Sequence, residues 1–134
     1  LRILQLGTHT TLVPTHGGKL RSHHTARVLE EHGCDVRRIA VAWKVDSDLD
    51  DPREPIIDIS LSFLYGSLAF NSYRPVFGYI SDYLSAQAVL TTAPLLQEFD
   101  RHYKAADPEL IVLEHPWLWP LVERFDAVRD GQVP

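Results

Sequence analysis

A short apolar run, Ile3-Leu4-Gln5-Leu6, and a partly alternating one in which Val36, Ile39 and Val41 are apolar bracket a single helix-length segment at the front of this chain. Two strands joined this way run in the same direction, because a crossover helix returns the chain to the edge it started from. Arg2–Leu6 reads as a strand. Gly7 to Gly17 is a loop of small and polar residues carrying His9 and His16. Lys19 to His32 reads as a helix with Leu20, Val28 and Leu29 at its apolar positions, stopped by Gly33. Asp35 to Val41 is the second strand.

The remainder continues the alternation. Asp46 to Pro55 is acidic and bounded by proline, as a solvated surface loop would be. It lacks the glycine and distal glutamate of a calcium loop. Ile56 to Leu61 reads as a third strand. Ser62 to Tyr79 carries Phe63, Tyr65, Phe70, Tyr73, Phe77 and Tyr79, interrupted by Gly66, Pro75 and Gly78. It is either an irregular flap packed on the core or an exposed aromatic surface for lipid or glycan. Asp82 can cap a helix carrying Tyr83, Leu84 and Val89, and Pro94 kinks it or opens a second helix with Leu95, Leu96, Phe99 and Tyr103. Asp107-Pro108-Glu109 marks a turn. Leu110-Ile111-Val112-Leu113 is uniformly apolar, as in a strand covered on both faces. Trp117 to Arg129 contains a helix with Leu121, Val122, Phe125 and Val128 facing inward.

This order predicts an α/β chain with an open, doubly wound parallel sheet, Rossmann-like, in three α/β/α layers and truncated before further strands. In the strand order 3-2-1-4-5, strands one and four are neighbours and the winding reverses between them. Ligands bind outside the carboxyl ends of the strands at that reversal. The loop after strand one carries His9, His16 and Gly17-Gly18. The loop after strand four carries Glu114 and His115. Gly17-Gly18 at a helix start would let an anion approach free backbone N–H groups and the positive helix end.

Several chemistries are excluded. No GxGxxG is present, and Gly17-Gly18-Lys19 lacks the following Ser or Thr and the upstream Gly of a phosphate-binding P-loop. No GxSxG supports a serine hydrolase. Seven histidines and one cysteine provide no HExxH and no zinc spacing. His23 and His24 are adjacent and face apart on a helix. A net charge of −5 argues against broad binding of nucleic acid. Cys34 has no partner for an internal disulfide, which fits a reducing compartment. No run approaches the ~20 apolar residues of a membrane span. The chain opens at Leu1 inside a strand pattern, lacks methionine and ends just after Gly131, so we expect the front part of a larger enzyme.

Gly17-Gly18-Lys19-Leu20-Arg21, followed by Leu29-Glu30-Glu31-His32-Gly33-Cys34-Asp35-Val36, resembles the start of family 4 glycosyltransferases. The shared pattern is two glycines, an arginine three residues after the second, a helix, and Leu-x-x-x-Gly-x-x-Val entering the second strand. Asp107-Pro108-Glu109-Leu110-Ile111-Val112, ending in Glu114-His115-Pro116, is similar to that family's fourth strand and the polar loop after it. The likeness is sharp over Arg2–Val41 and Asp107–Pro116.

The resemblance implies two Rossmann-like domains facing a cleft, the GT-B arrangement, with residues 1–134 as the N-terminal, acceptor-side domain. The parent enzyme would transfer a hexose from a nucleotide-sugar donor to a glycan, lipid or small hydroxylated acceptor, with retention. Gly17 and Gly18 would approach the donor diphosphate or the acceptor, with His16 beside them. Arg21 would hold an anionic or hydroxyl-rich group, and Trp117 would stack on a sugar or pack on the sheet. His115 and Glu114 are the expected catalytic residues. Many members place the functional histidine where this chain has Glu114, so either side chain could face the crevice. The family's C-terminal pair of glutamates has no counterpart here, so this piece alone should not catalyse transfer. No metal or cofactor is expected. The implied location is cytoplasmic, at the inner membrane face. The alternative is a non-enzymatic flavodoxin-like ligand-binding or receiver-type domain; Gln5-Leu6-Gly7 lacks the acidic residues a receiver needs.

Overall fold

The computed structural model describes residues 1–12, 17–44, 51–66 and 80–134. His16, the acidic stretch 45–50 and the aromatic stretch 67–79 lie outside the described residues.

Among the described residues, four strands, β1 (Arg2–Gly7), β2 (Asp35–Ala42), β3 (Ile56–Asp58) and β4 (Leu110–Leu113), form one sheet in the order β3-β2-β1-β4. Every pairing is parallel. The fold is thus the α/β Rossmann-like one that the alternating pattern predicts. β1 and β4 are hydrogen-bonded neighbours in the register Leu6 to Leu113, so the loops that follow them leave from one edge.

Alternation along the strands sorts side chains between two helical layers. Ile3 and Val36 face α1 (Gly17–Glu31), packing with Ala26, Leu29, Leu110 and Val112. Leu4, Leu6, Ile39, Val41 and Ile57 face the larger core on the other side. That core is supplied by α3 (Ile80–Leu90) and α4 (Ala93–Ala106), which follow the short α2 (Phe63–Gly66). In α4, Leu95, Phe99, Tyr103 and Ala106 form one buried stripe at helical spacing. Pro94 occupies the first turn of α4, where its missing N–H costs nothing, so it starts a helix rather than kinking one.

Several local expectations are corrected. Gly17 and Gly18 are the first residues of α1, not part of the loop before it, and α1 closes at Glu31. The buried residues of α1 are Ser22 and Ala26, whereas Leu20 and Val28 are exposed. Small side chains at Ser22 and Ala26 let the helix lie close to the sheet, and Leu20 and Val28 fall on its outer side while Leu29 packs inward. The third strand stops at Asp58, whose carboxylate accepts from Ser60 N–H and caps a 3-10 turn over Ile59–Leu61. β4 is half-buried along its whole length rather than covered on both faces. After β4 the chain forms a 3-10 turn (Pro116–Leu118) and two single-turn helices, α5 (Trp119–Val122) and α6 (Asp126–Arg129), in place of one helix. Leu121, Val122 and Val128 are nevertheless buried, as their spacing predicts. Within the described part of the aromatic segment, Tyr65 is buried edge-on against Trp43 and Phe63 is exposed.

Candidate functional site

The one polar residue in the buried run of β1 builds the site. Gln5 is 3% exposed and shares the α1-facing side of β1 with Ile3. Its Nε2 donates to Glu114 Oε1 at 2.8 Å and reaches the Ser22 carbonyl of α1 at 3.3 Å. One side-chain amide therefore ties β1, α1 and the loop after β4 together across a sequence separation of 109 residues.

Glu114 continues the β1–β4 ladder, its N–H donating to Leu6 O at 3.0 Å. Its side chain is 7% exposed, and Oε2 lies 3.5 Å from His9 Nε2. Gly7 makes room for it: a Cβ on Gly7 would stand 2.9 Å from Oε2. Burial pushes the Glu114 carboxyl above the ordinary carboxylate range. A hydrogen bond with Ser22, the charges of His115 and Arg21, and the Gln5 amide pull in the opposite direction without prevailing. A carboxyl held this way can keep a proton and donate a hydrogen bond where an exposed one would be ionised.

His115 is next in sequence and takes another direction. Its ring stacks on Trp117 with centroids 4.4 Å apart and planes 5° from parallel. Trp117 packs on the core and lies 6.1 Å from Tyr83 of α3. The His9 ring meets His115 edge-on at 6.5 Å. His9 therefore sits between the Glu114 carboxyl and the His115–Trp117 stack. In comparisons with known proteins, no family model, curated protein or solved structure matches this chain.

On the α1 side, Gln5, Arg21, Ser22, Thr25 and Glu114 help to line a cavity of about 240 Å³. Arg21 is exposed at its mouth. Gly17 is exposed, and a Cβ there would meet nothing within 4 Å, so the protein itself does not demand glycine at that position. The Gly18 carbonyl accepts from Ser22 Oγ at 3.0 Å. Glu114, His115, Arg21, Gly17, Gly18 and Trp117 thus all belong to the carboxyl-edge loops or to the helix start beside them. Among the described residues, no group of three His, Cys, Asp or Glu side chains could hold a metal ion. No described helix is long and apolar enough to cross a membrane.

The residue that sequence reasoning misplaced is Glu54. It lies in the acidic loop read as solvated, yet it is 1% exposed. Its carboxylate accepts from Thr11 N–H and, at 2.8 Å, from Thr11 Oγ1, and pairs with Arg38 Nε at 3.2 Å. Glu54 therefore anchors the loop after β1 to the connection between β2 and β3. Its Thr11 donors lie 43 residues away in sequence, so no local pattern announces it. Gln5 was detectable as the lone polar residue of an apolar strand.

Proposed function

We propose that this chain is the acceptor-side domain of a GT-B glycosyltransferase that moves a hexose from a nucleotide sugar to a hydroxyl acceptor with retention. The observation that carries the reading is the Gln5–Glu114 hydrogen bond. It ties the Glu114-His115 loop to β1, and the same amide reaches the Ser22 carbonyl of α1, at the winding reversal of the sheet. The two stretches it joins are the two that resemble family 4 glycosyltransferases.

In the reaction the bond from the anomeric carbon to the diphosphate oxygen breaks, and a bond from that carbon to the acceptor oxygen forms. The acceptor hydroxyl loses its proton. His115, kept in place by Trp117, stands beside that hydroxyl to orient it or receive the proton. Arg21 and the α1 start present N–H donors to an anionic or hydroxyl-rich group. Glu114 and Gln5 shape the floor of the acceptor crevice. The nucleotide is held mainly by a C-terminal domain, and the inner membrane face is the proposed workplace.

The test is nucleoside diphosphate release by the parent protein, assayed with a panel of nucleotide hexoses and hydroxylated acceptors. Release is expected, and His115→Ala should slow it about 100-fold. The isolated chain should bind nucleotide sugars weakly. Absence of release across the panel, or tight donor binding by the isolated chain, defeats the reading.

A further inference from the structure

A second cavity, of about 260 Å³, opens at the other edge of the sheet. Arg37 and Arg38 lie near the start of β2, and Arg101 and His102 lie near the end of α4, which stops just before β4 begins. Arg53 completes the wall over an apolar floor that includes Leu4 and Ile39. These are the amino ends of the strands, opposite the crevice that holds Glu114.

Its charge is out of keeping with the chain as a whole. The protein has 13 Lys and Arg residues and a net charge of −5. Four of those cations line this one cavity, and none of its described lining residues is acidic. The nearby carboxylates hold the guanidinium groups from outside the lining. Glu54 pairs with Arg38 at 3.2 Å and Glu30 with Arg53 at 3.1 Å, while Asp35 is 3.9 Å from Arg37. Arg101 has no carboxylate partner among the described residues.

The guanidinium groups are also held in position. Arg37 Nη1 donates to the Ala105 carbonyl at 3.0 Å, and Arg53 Nη2 donates to the Val36 carbonyl at 3.1 Å. Arg101 Nη2 lies 2.7 Å from His102 Nε2 and donates to it. Each guanidinium carries five N–H donors, so these contacts orient it and leave donors over. Planar forks lining a recess suit the tetrahedral oxygens of a phosphate, which accept from two guanidinium groups at once.

We propose that this cavity binds the phosphate group of an anionic ligand, gripped chiefly by Arg37 and Arg101, at the sheet edge opposite the crevice. The site is independent of the transferase reading. His102 provides a reporter within the wall. Burial, then the charge of Arg101, hold its imidazole below the usual histidine range, with Glu98 opposing. A bound phosphate reverses the local field and raises it.

The test is an NMR titration of the chain with inorganic pyrophosphate at constant ionic strength, following the histidine ring signals and assigning His102 with His102→Gln. A saturable shift of the His102 signal and a raised His102 pKa are expected. Arg37→Gln combined with Arg101→Gln should weaken binding by about tenfold or more. Both side chains are exposed, so the fold survives the change. Arg27→Gln, on the outer face of α1, should bind as the parent does. Cosedimentation with phosphatidic acid vesicles, lost in the same double variant, would assign the phosphate to a lipid headgroup; the soluble response alone would assign it to a soluble ligand. The proposal is overturned if neither probe moves His102, if sodium chloride reproduces the shift, if the double variant binds unchanged, or if pyrophosphate moves His9 and His115 instead.

Discussion

Gly7 and Glu114 share a space that holds only one side chain: a Cβ on Gly7 would come within 2.9 Å of the Glu114 carboxylate. Glu114 cannot retreat freely, because Gln5 holds its other oxygen at 2.8 Å. Gly7→Ala should therefore destabilise the chain by about 1–3 kcal/mol in urea denaturation, as overpacking of a buried site does. The penalty should shrink in a Glu114→Ala background, since the obstruction is then gone. An equal penalty in both backgrounds would place the conflict elsewhere.

Glu114 also predicts a pH dependence. In the unfolded chain it ionises near its ordinary value of 4.5, while in the folded chain burial holds the proton to higher pH. Between those limits the folded state binds more protons, so stability falls as pH rises. The favourable contribution is complete below about 4.5 and is lost as pH climbs through the raised value. Glu114→Gln lacks this slope and still accepts from Gln5. Its stability relative to the parent should therefore climb from acid to neutral pH, read from denaturation midpoints at each pH. A constant difference would show that Glu114 ionises alike in both states.

Glu54 should matter far more than a loop carboxylate usually does. Glu54→Ala leaves Arg38, whose side chain is 15% exposed, without its counter-charge. Breaking a buried pair from one side costs about 3–5 kcal/mol. Thr11→Val removes one hydroxyl donor to the same carboxylate and should cost about 1.5–3 kcal/mol. Equilibrium unfolding of both variants should rank them in that order; a Glu54→Ala loss under about 1 kcal/mol would mean the pair is dispensable.

Gly33 isolates a backbone effect. It ends α1 at a φ of +83°, and a Cβ there would meet nothing within 4 Å. Gly33→Ala should therefore cost about 1 kcal/mol through left-handed strain alone. A cost near zero by thermal unfolding would show that the helix end relaxes to a negative φ.

The layered parallel fold was legible because it rests on local patterns: short apolar runs, helix-length segments between them, and Gly33 and Pro94 as punctuation. The meeting of the loops after β1 and β4 followed from topology. Reading failed where distance decided the outcome. Leu20 and Val28 carry most of the apolar character of α1, yet Ser22 and Ala26 are the residues buried, because closeness to the sheet favours small side chains. Glu54 sits in a run of acids, and only Thr11 and Arg38, brought in from elsewhere, make it a core residue. The choice between Glu114 and His115 hung on strand register, which composition does not encode.

Glu114 goes beneath Gly7 while His115, its immediate neighbour, lies on Trp117. A single residue lost from the turn before β4, with the strand sliding by one place, would set His115 where Glu114 stands and bring an imidazole against β1; Leu110–Leu113 is apolar at every position, so both its faces accept the flip. A one-residue deletion could thus convert a proton-holding crevice into a basic one, with the parallel order of the sheet left standing.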